Sequence, residues 1–294
     1  MWNGTRKGEW WELEVPDVDW SLHQKQAYEA VARQFPIPKK LWGRLYSVGG
    51  IRQQENKLLL HLFPPQTATF QPEYSHLDVL FEDDFCMVVN KPAGMPVHPT
   101  EPGKGGTLAN AVAYYYEATG QACTVRHIHR LDGDTTGAVL YAKNEIAHMR
   151  LDEAMREQRI DRQYVAVAEG IFLNAKGTID EPIGRDRHHS GKRRVTFGGD
   201  EAITHYWVEK QFAQAALVRL ELETGRTHQI RVHLSHMGHP LIGDAMYGGS
   251  VKRLQRQALH GERLLFEHPL TGVTHNIHTP WPPDFLQLLS DLQA

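Results

Sequence analysis

The chain has 294 residues, 41% of them hydrophobic and 23% charged, with 32 basic and 35 acidic side chains and a net charge of −3. That length suits one large domain, or a large one with a smaller companion, and the composition excludes a disordered chain. The longest apolar runs, residues 138–142 and 164–168, fall far short of the roughly 20 residues a membrane helix needs.

The first nine residues carry Arg6 and Lys7 with no apolar segment behind them, so a secretory signal is not expected. Two cysteines, Cys86 and Cys123, are too few for a disulfide framework, and a cytoplasmic protein is expected.

In chain order, the apolar spacing of Tyr28, Val31, Ala32 and Phe35 behind Ser21 predicts a helix over 21–35, broken by Pro36 and Pro38. A second helix is predicted from Lys39 to Tyr46, a turn at Gly49-Gly50 and a strand over 57–63. Pro64-Pro65 and Pro72 then mark a boundary, which divides the chain into a small α/β module, 1–72, and a larger domain, 73–294. In the second part, strands are predicted at 79–81, 85–89, 137–142, 163–168, 203–208, 218–222 and 264–266. Helices are predicted at about 108–117, 146–158, 227–237 and after Pro283. Strands that cluster without regular alternation with helices predict an α+β fold on a mixed, mainly antiparallel sheet.

Three groups of residues could carry chemistry. The loop from His127 to Gly137 packs His129, Arg130, Asp132 and Asp134 directly before an apolar strand. A carboxylate held by such a strand is fixed more firmly than one on a surface turn, although either Asp could simply cap a turn. In the predicted helix from Thr227, Ile230, Leu234 and Met237 face the core. Thr227, His228, Arg231 and Ser235 share another face, from which Arg231 could meet a carboxylate or phosphate. In the third, Tyr164, Ala166 and Ala168 share one face of a strand, where two small side chains beside a ring leave room for a flat ligand.

Eighteen histidines, with His127, His129 and Asp132 closely spaced and His228, His233, His236 and His239 downstream, raise a metal site. Arg130 between the first ligands speaks against it, and no metal is expected. Positive charge is concentrated in residues 185–194, where five Lys or Arg meet one Asp.

His129-Arg130-Leu131-Asp132 followed by Thr135-Thr136-Gly137 resembles the H-R-L-D-x-x-T-S-G signature of the RluA-type pseudouridine synthases. Residues 225–234, then Gly238-His239-Pro240, Gly243-Asp244 and Tyr247-Gly248, are similar to that family's second block. Asn90-Lys91-Pro92-Ala93-Gly94 with Val97-His98-Pro99 resembles its N-terminal block, and Tyr164 falls where the family has its active-site tyrosine. Thr136 and Gly133 depart from it, standing where Ser and Arg are usual.

The resemblance implies isomerisation of uridine in structured RNA to pseudouridine, without metal or organic cofactor, on a mixed, mainly antiparallel sheet flanked by helices and loops. Asp132 would act on the sugar, as nucleophile at C1′ or base at C2′. Arg231 would hold it ionised, and Tyr164 would stack on the uracil. Arg130, His129, Lys91, Arg226 and His228 lie in the matching blocks and are expected to touch RNA. Arg187, Lys192, Arg193 and Arg194 of the basic segment are expected to join them.

Residues 39–63 resemble an S4-type RNA-binding module, departing from it at Gln53-Gln54-Glu55-Asn56. That likeness adds Lys39, Lys40 and Arg44 as contacts and favours ribosomal over transfer RNA. A monomer with no obligate protein partner is expected.

Overall fold

The computed structural model describes residues 4–15, 26, 28, 30, 31, 35, 37–101 and 103–293. Of the predicted helix at 21–35, residues 26, 28, 30 and 31 are helical; most of that span lies outside the described residues.

The N-terminal part forms a four-stranded antiparallel sheet in the order β1-β2-β4-β3, built from β1 (Gly4–Lys7), β2 (Trp10–Glu14), β3 (Ile51–Gln54) and β4 (Lys57–Leu60). Helix α1 (Lys39–Ser47) buries Leu41, Trp42 and Leu45. The β1–β2 hairpin is additional to the predicted elements. Its signal is the alternation of Trp11, Leu13 and Val15, all of which are buried.

The larger part is organised on one sheet in the order β10-β13-β14-β9-β15-β8-β6-β5, with β16 paired to β15 and β7 to β8. Its members are β5 (Asp78–Glu82), β6 (Cys86–Lys91), β7 (Arg126–His127), β8 (Thr136–Ala142), β9 (Asp161–Glu169), β10 (Lys176–Asp180), β13 (Ile203–Gln211), β14 (Ala215–Leu222), β15 (Leu259–Glu267) and β16 (Thr274–His278). All its pairings are antiparallel except β15 with β8. This is the expected α+β class. Every residue of β8 is buried, because helices cover both faces.

One face packs on α2 (Leu108–Ala118) and α4 (Gln229–His236) through Val139, Tyr141, Ala166, Ile230 and Leu234. The other meets α3 (Glu145–Arg156) and, further along, α5 (Pro283–Gln293). The N-terminal sheet also joins this second face. Trp11 and Phe63 pack on Phe85, at 4.9 and 5.4 Å between ring centres, inside a core shared with Leu140 and Ile146.

The proline-rich segment expected as a boundary is pinned rather than free. Gln66 N donates to Ala122 O, Glu73 N to Asn110 O, and the Asn110 amide to Gln71 O.

Where β8 and β15 run side by side, Gly137 pairs with Gly261, and Gly261 in turn faces Tyr164 of β9. Gly137 has φ +125°, and a Cβ there would collide with the Gly261 backbone. Two glycines thus bring the loop before β8 and the ring of Tyr164 close across the sheet.

Candidate active site

The loop 128–135 enters β8 through a turn in which Thr135 N donates to Asp132 O. Asp132 is half-buried and faces a cleft, whereas Asp134 is exposed. The Thr136 hydroxyl lies 2.8 Å from His260 Nδ1, which fastens the start of the strand to β15.

Opposite this loop, α4 begins abruptly. His228 adopts a left-handed conformation, φ 59°, so the helix starts at Gln229 rather than at Thr227. The buried Gln229 amide fixes this corner. Its oxygen accepts from the Thr224 hydroxyl and Arg226 N, and its nitrogen donates to Ile203 O and the Thr204 hydroxyl. His233, one turn on, is also buried between the Thr204 hydroxyl and Glu181 O. A helix clamped in this way holds Arg231 with little freedom.

Arg231 Nη1 donates to Asp132 Oδ2 at 3.0 Å. Its two-point contact is made elsewhere: Nε and Nη2 donate to the two oxygens of Asp244, at 2.6 and 2.9 Å. Arg231 thus meets Asp132, as expected of it, but through a single bond. Asp244 takes the fork because it sits, fully buried, beside the helix, while Asp132 reaches the guanidinium from the cleft side. Burial alone would lower the pKa of Arg231, but the Asp244 carboxylate overrides it and holds the pKa above its ordinary value. The guanidinium also lies over the Tyr247 ring, 4.9 Å from its centre.

Asp244 had no role assigned from sequence. Its signal was weak, an Asp after Gly243, which reads equally well as a turn.

His228 Nε2 is 3.9 Å from Asp132 Oδ1, and Nδ1 is 2.9 Å from the Tyr247 hydroxyl. That hydroxyl already accepts from Arg193 N at 2.9 Å, so its own proton is free to go to Nδ1. The remaining ring proton of neutral His228 then faces Asp132. Burial lowers the His228 pKa and keeps the ring neutral.

Tyr164 lines the same cleft with Arg130, Arg162, Leu222 and Leu259. Burial raises the pKa of its hydroxyl. The room beside its ring is not supplied by Ala166 and Ala168 as expected, since both are wholly buried in the core under it. Gly225 and the loop leading to α4 shape the opening instead. Arg162 was missed by sequence reading; it precedes Tyr164 by two on the same strand face, which was the available signal.

The residues expected to touch RNA divide into groups. Arg130 and Arg226 line the cleft, the first donating to the Thr227 hydroxyl and the second to Glu201 O. Two expectations are corrected. Lys91 is fully buried, and its Nζ donates to Pro92 O, Met95 O and Gly133 O at 2.6–2.8 Å, which uses all three hydrogens. It ties the Asp132 loop to the segment after β6 and has no donor left for phosphate. His129 is buried, its Nε2 accepting from Leu140 N, and burial pushes its pKa down to about 3. It holds the loop against β8 and offers RNA no charge.

The basic segment forms a hairpin of β11 (Ile183–Arg185) and β12 (Arg193–Val195), closed by Asp186 N donating to Lys192 O. Arg187 is exposed there, and Lys192, Arg193 and Arg194 are partly exposed. Lys39 and Lys40 are exposed on α1, while Arg44 pairs with Glu145 of α3.

The histidines do not gather as the metal pattern required. His233 is engaged as described, and His239 Nδ1 lies 2.8 Å from Glu169 O. The one group of three ligand types among the described residues is Asp83, Cys86 and His268. His268 Nδ1 accepts from Leu270 N and Thr271 N, so its proton sits on Nε2, 2.7 Å from Asp83 Oδ2, with no lone pair to give.

A buried Arg231 between two carboxylates, a tyrosine across a two-glycine seam and an arginine-lined mouth thus meet in one cleft. Residues 85–236 match the family model for RNA pseudouridylate synthase. The chain belongs to that family, and it isomerises uridine in RNA to pseudouridine. It is similar to the uncharacterized RNA pseudouridine synthase YhcT of Bacillus subtilis, with 44% identity over 92% of this chain and 86% of the relative. It is 35% identical to ribosomal large subunit pseudouridine synthase D of Escherichia coli K12, over 94% of this chain and 85% of the relative. Among solved structures, it resembles human RNA pseudouridylate synthase domain containing 1. The TM-score is 0.60 and the identity 26%, over 76% of this chain and 98% of that one.

Proposed function

We propose that Asp132 is the carboxylate that starts the isomerisation, with Arg231 as its positioning cation and Tyr164 as the surface on which the uracil rests. The observation that carries this reading is the single Arg231–Asp132 bond at 3.0 Å, made by an arginine already anchored on Asp244. A cation that is itself held by a buried carboxylate can fix the place of Asp132 without drifting towards the substrate.

The target uridine leaves its stack and enters the cleft. The N1–C1′ bond breaks as Asp132 attacks C1′ or removes the C2′ proton, and the uracil leaves as an anion. The ring turns on Tyr164 and C5 bonds to C1′ as the Asp132–C1′ bond breaks or, on the second route, as Asp132 returns the proton to C2′. The proton on C5 is lost and N1 gains one, so the composition is unchanged. The buried Tyr164 hydroxyl, kept protonated, can assist that transfer. The apolar residues around the cleft, Leu131, Leu222, Ile230 and Leu259, keep water from the detached sugar.

Arg130, exposed at the mouth, takes the space the base vacates or holds a phosphate. Arg187, Lys192, Arg193 and Arg194 supply further phosphate contacts, and residues 1–72 act as an RNA-binding module through Lys39, Lys40 and Arg44. The substrate is ribosomal RNA. The relative in E. coli named ribosomal large subunit pseudouridine synthase D supports this choice, as does a second positive cluster on the N-terminal module, which suits a large structured RNA. The protein works as a monomer in the cytoplasm, where its two free cysteines stay reduced. No helix among the described residues is long and apolar enough to cross a membrane.

Mapping pseudouridines in ribosomal and transfer RNA from a strain lacking this protein tests the substrate. A site lost from large-subunit ribosomal RNA is expected. A loss confined to transfer RNA would contradict the choice.

A further inference from the structure

The hairpin β11–β12 and the turn that follows it carry two features that cost stability in an unliganded protein. First, Arg185 and Arg193 are direct cross-strand partners, and like charges directly opposite each other are destabilising. Both line a groove with Arg226, Thr227 and one carboxylate, Asp200. Gly225 and Arg226 also line the cleft that holds Asp132, so the groove runs on from the active site.

Second, Phe197 is wholly exposed, more so than any other large hydrophobic side chain among the described residues. It sits on a turn closed by Gly199 N donating to Thr196 O, with Gly198 left-handed at φ +80°.

That turn is firmly seated. Thr196 N donates to Pro182 O, and Ile183 and Asp200 exchange two backbone hydrogen bonds at 2.8 and 2.9 Å. A side chain at Gly199 would collide with the Ile183 backbone, so the turn lies pressed on β11 beside the groove. Phe197 forgoes its burial while its backbone is fixed, and its neighbours Thr196, Gly198 and Gly199 offer no apolar patch for a protein partner. A lone exposed ring on a turn seated next to an arginine-lined groove matches how single-stranded nucleic acid is held, with bases on aromatic rings and phosphates on cations.

We infer that Phe197 is a stacking platform for an unpaired base flanking the target uridine, with Arg185, Arg193 and Arg226 holding the phosphates between that base and the active site. This rests on the RNA-isomerase reading and adds a second base-binding position to it. Stacking is tolerant of base identity, so the position contributes affinity without selecting sequence.

The test measures binding of the full chain to a short single-stranded RNA of mixed sequence and to unmodified large-subunit ribosomal RNA, over a range of salt. Phe197→Ala is expected to weaken binding roughly 5- to 150-fold, the range that base–aromatic stacking supplies. Its salt slope should match wild type, because a neutral ring releases no counterions. Phe197→Trp should bind at least as tightly as wild type, and Phe197→Leu as weakly as Phe197→Ala. Arg185→Gln and Arg193→Gln should each flatten the salt slope by roughly 0.7.

Wild-type affinity in Phe197→Ala would overturn the inference. So would rescue by Phe197→Leu, which would make the ring a plain apolar contact. Failure of wild type to bind either RNA would overturn the RNA reading itself, an outcome distinct from the other two.

Discussion

The guanidinium of Arg231 divides its donors unequally, two to Asp244 and one to Asp132. Lysine in its place keeps the charge but has no planar fork, so it cannot span both carboxylates. Arg231→Lys is therefore expected to lower turnover at least about tenfold and also to lower Tm, because Asp244 is left buried without its two-point partner. Steady-state kinetics and thermal unfolding on one preparation check this; an unchanged kcat with an unchanged Tm would contradict it. His129 gives a second prediction at this scale. Burial holds its pKa near 3 instead of 6.5, so the unfolded chain binds the proton more readily than the folded one. Stability from this residue is complete above about pH 6.5 and falls as pH drops toward 3, by about 1.4 kcal/mol per unit. Urea unfolding at pH 6.5 and pH 5 should show wild type losing about 2 kcal/mol more than His129→Leu over that interval. Equal losses would mean that the ring charges freely in the folded state.

At the scale of elements, the hairpin β11–β12 turns the basic stretch of the sequence into a seated structure. Its Arg193 N–H reaches the Tyr247 hydroxyl, which in turn meets His228 beside Asp132. Replacing Lys192, Arg193 and Arg194 with Ala leaves that backbone bond in place while removing three cations. RNA affinity and its salt slope should fall together, the slope by roughly 0.7–0.9 for each phosphate no longer neutralised. Equal affinity and equal slope would move the RNA footprint elsewhere. The long strands β8, β9, β13 and β14 and the helices α2, α3 and α5 were legible because their apolar spacing alone specifies them. β11 and β12 were not, since a short run of arginines carries no alternation and pairs only because Tyr247 and the turn at 196–199 hold it. The site was legible where a motif is contiguous, as in residues 129–137. It was hidden where two distant segments meet. Asp244 takes its meaning from Arg231 on α4, and Lys91 and His129, expected to touch RNA, are buried by contacts that only the fold creates. The start of α4 shifted for a similar reason: the left-handed His228 is imposed by the Gln229 amide network.

The whole molecule converges on one seam. Gly137, Gly261 and Tyr164 stand side by side on three strands, and Leu131 of the Asp132 loop and Ile230 and Leu234 of α4 share one core cluster with Tyr164. The N-terminal sheet braces the opposite face through Trp11, Phe63 and Phe85. In this frame Asp132 faces the cleft within reach of Arg231, while Asp134, two residues on, is exposed and outside it. The central claim is thus a choice between two neighbouring carboxylates, and tritium release from uridine-labelled RNA by Asp132→Asn and Asp134→Asn decides it. Asp132→Asn should lose turnover by on the order of 10²–10⁴-fold or more while remaining folded and able to bind RNA, and Asp134→Asn should stay near wild type. Activity retained in Asp132→Asn and lost in Asp134→Asn would contradict the assignment.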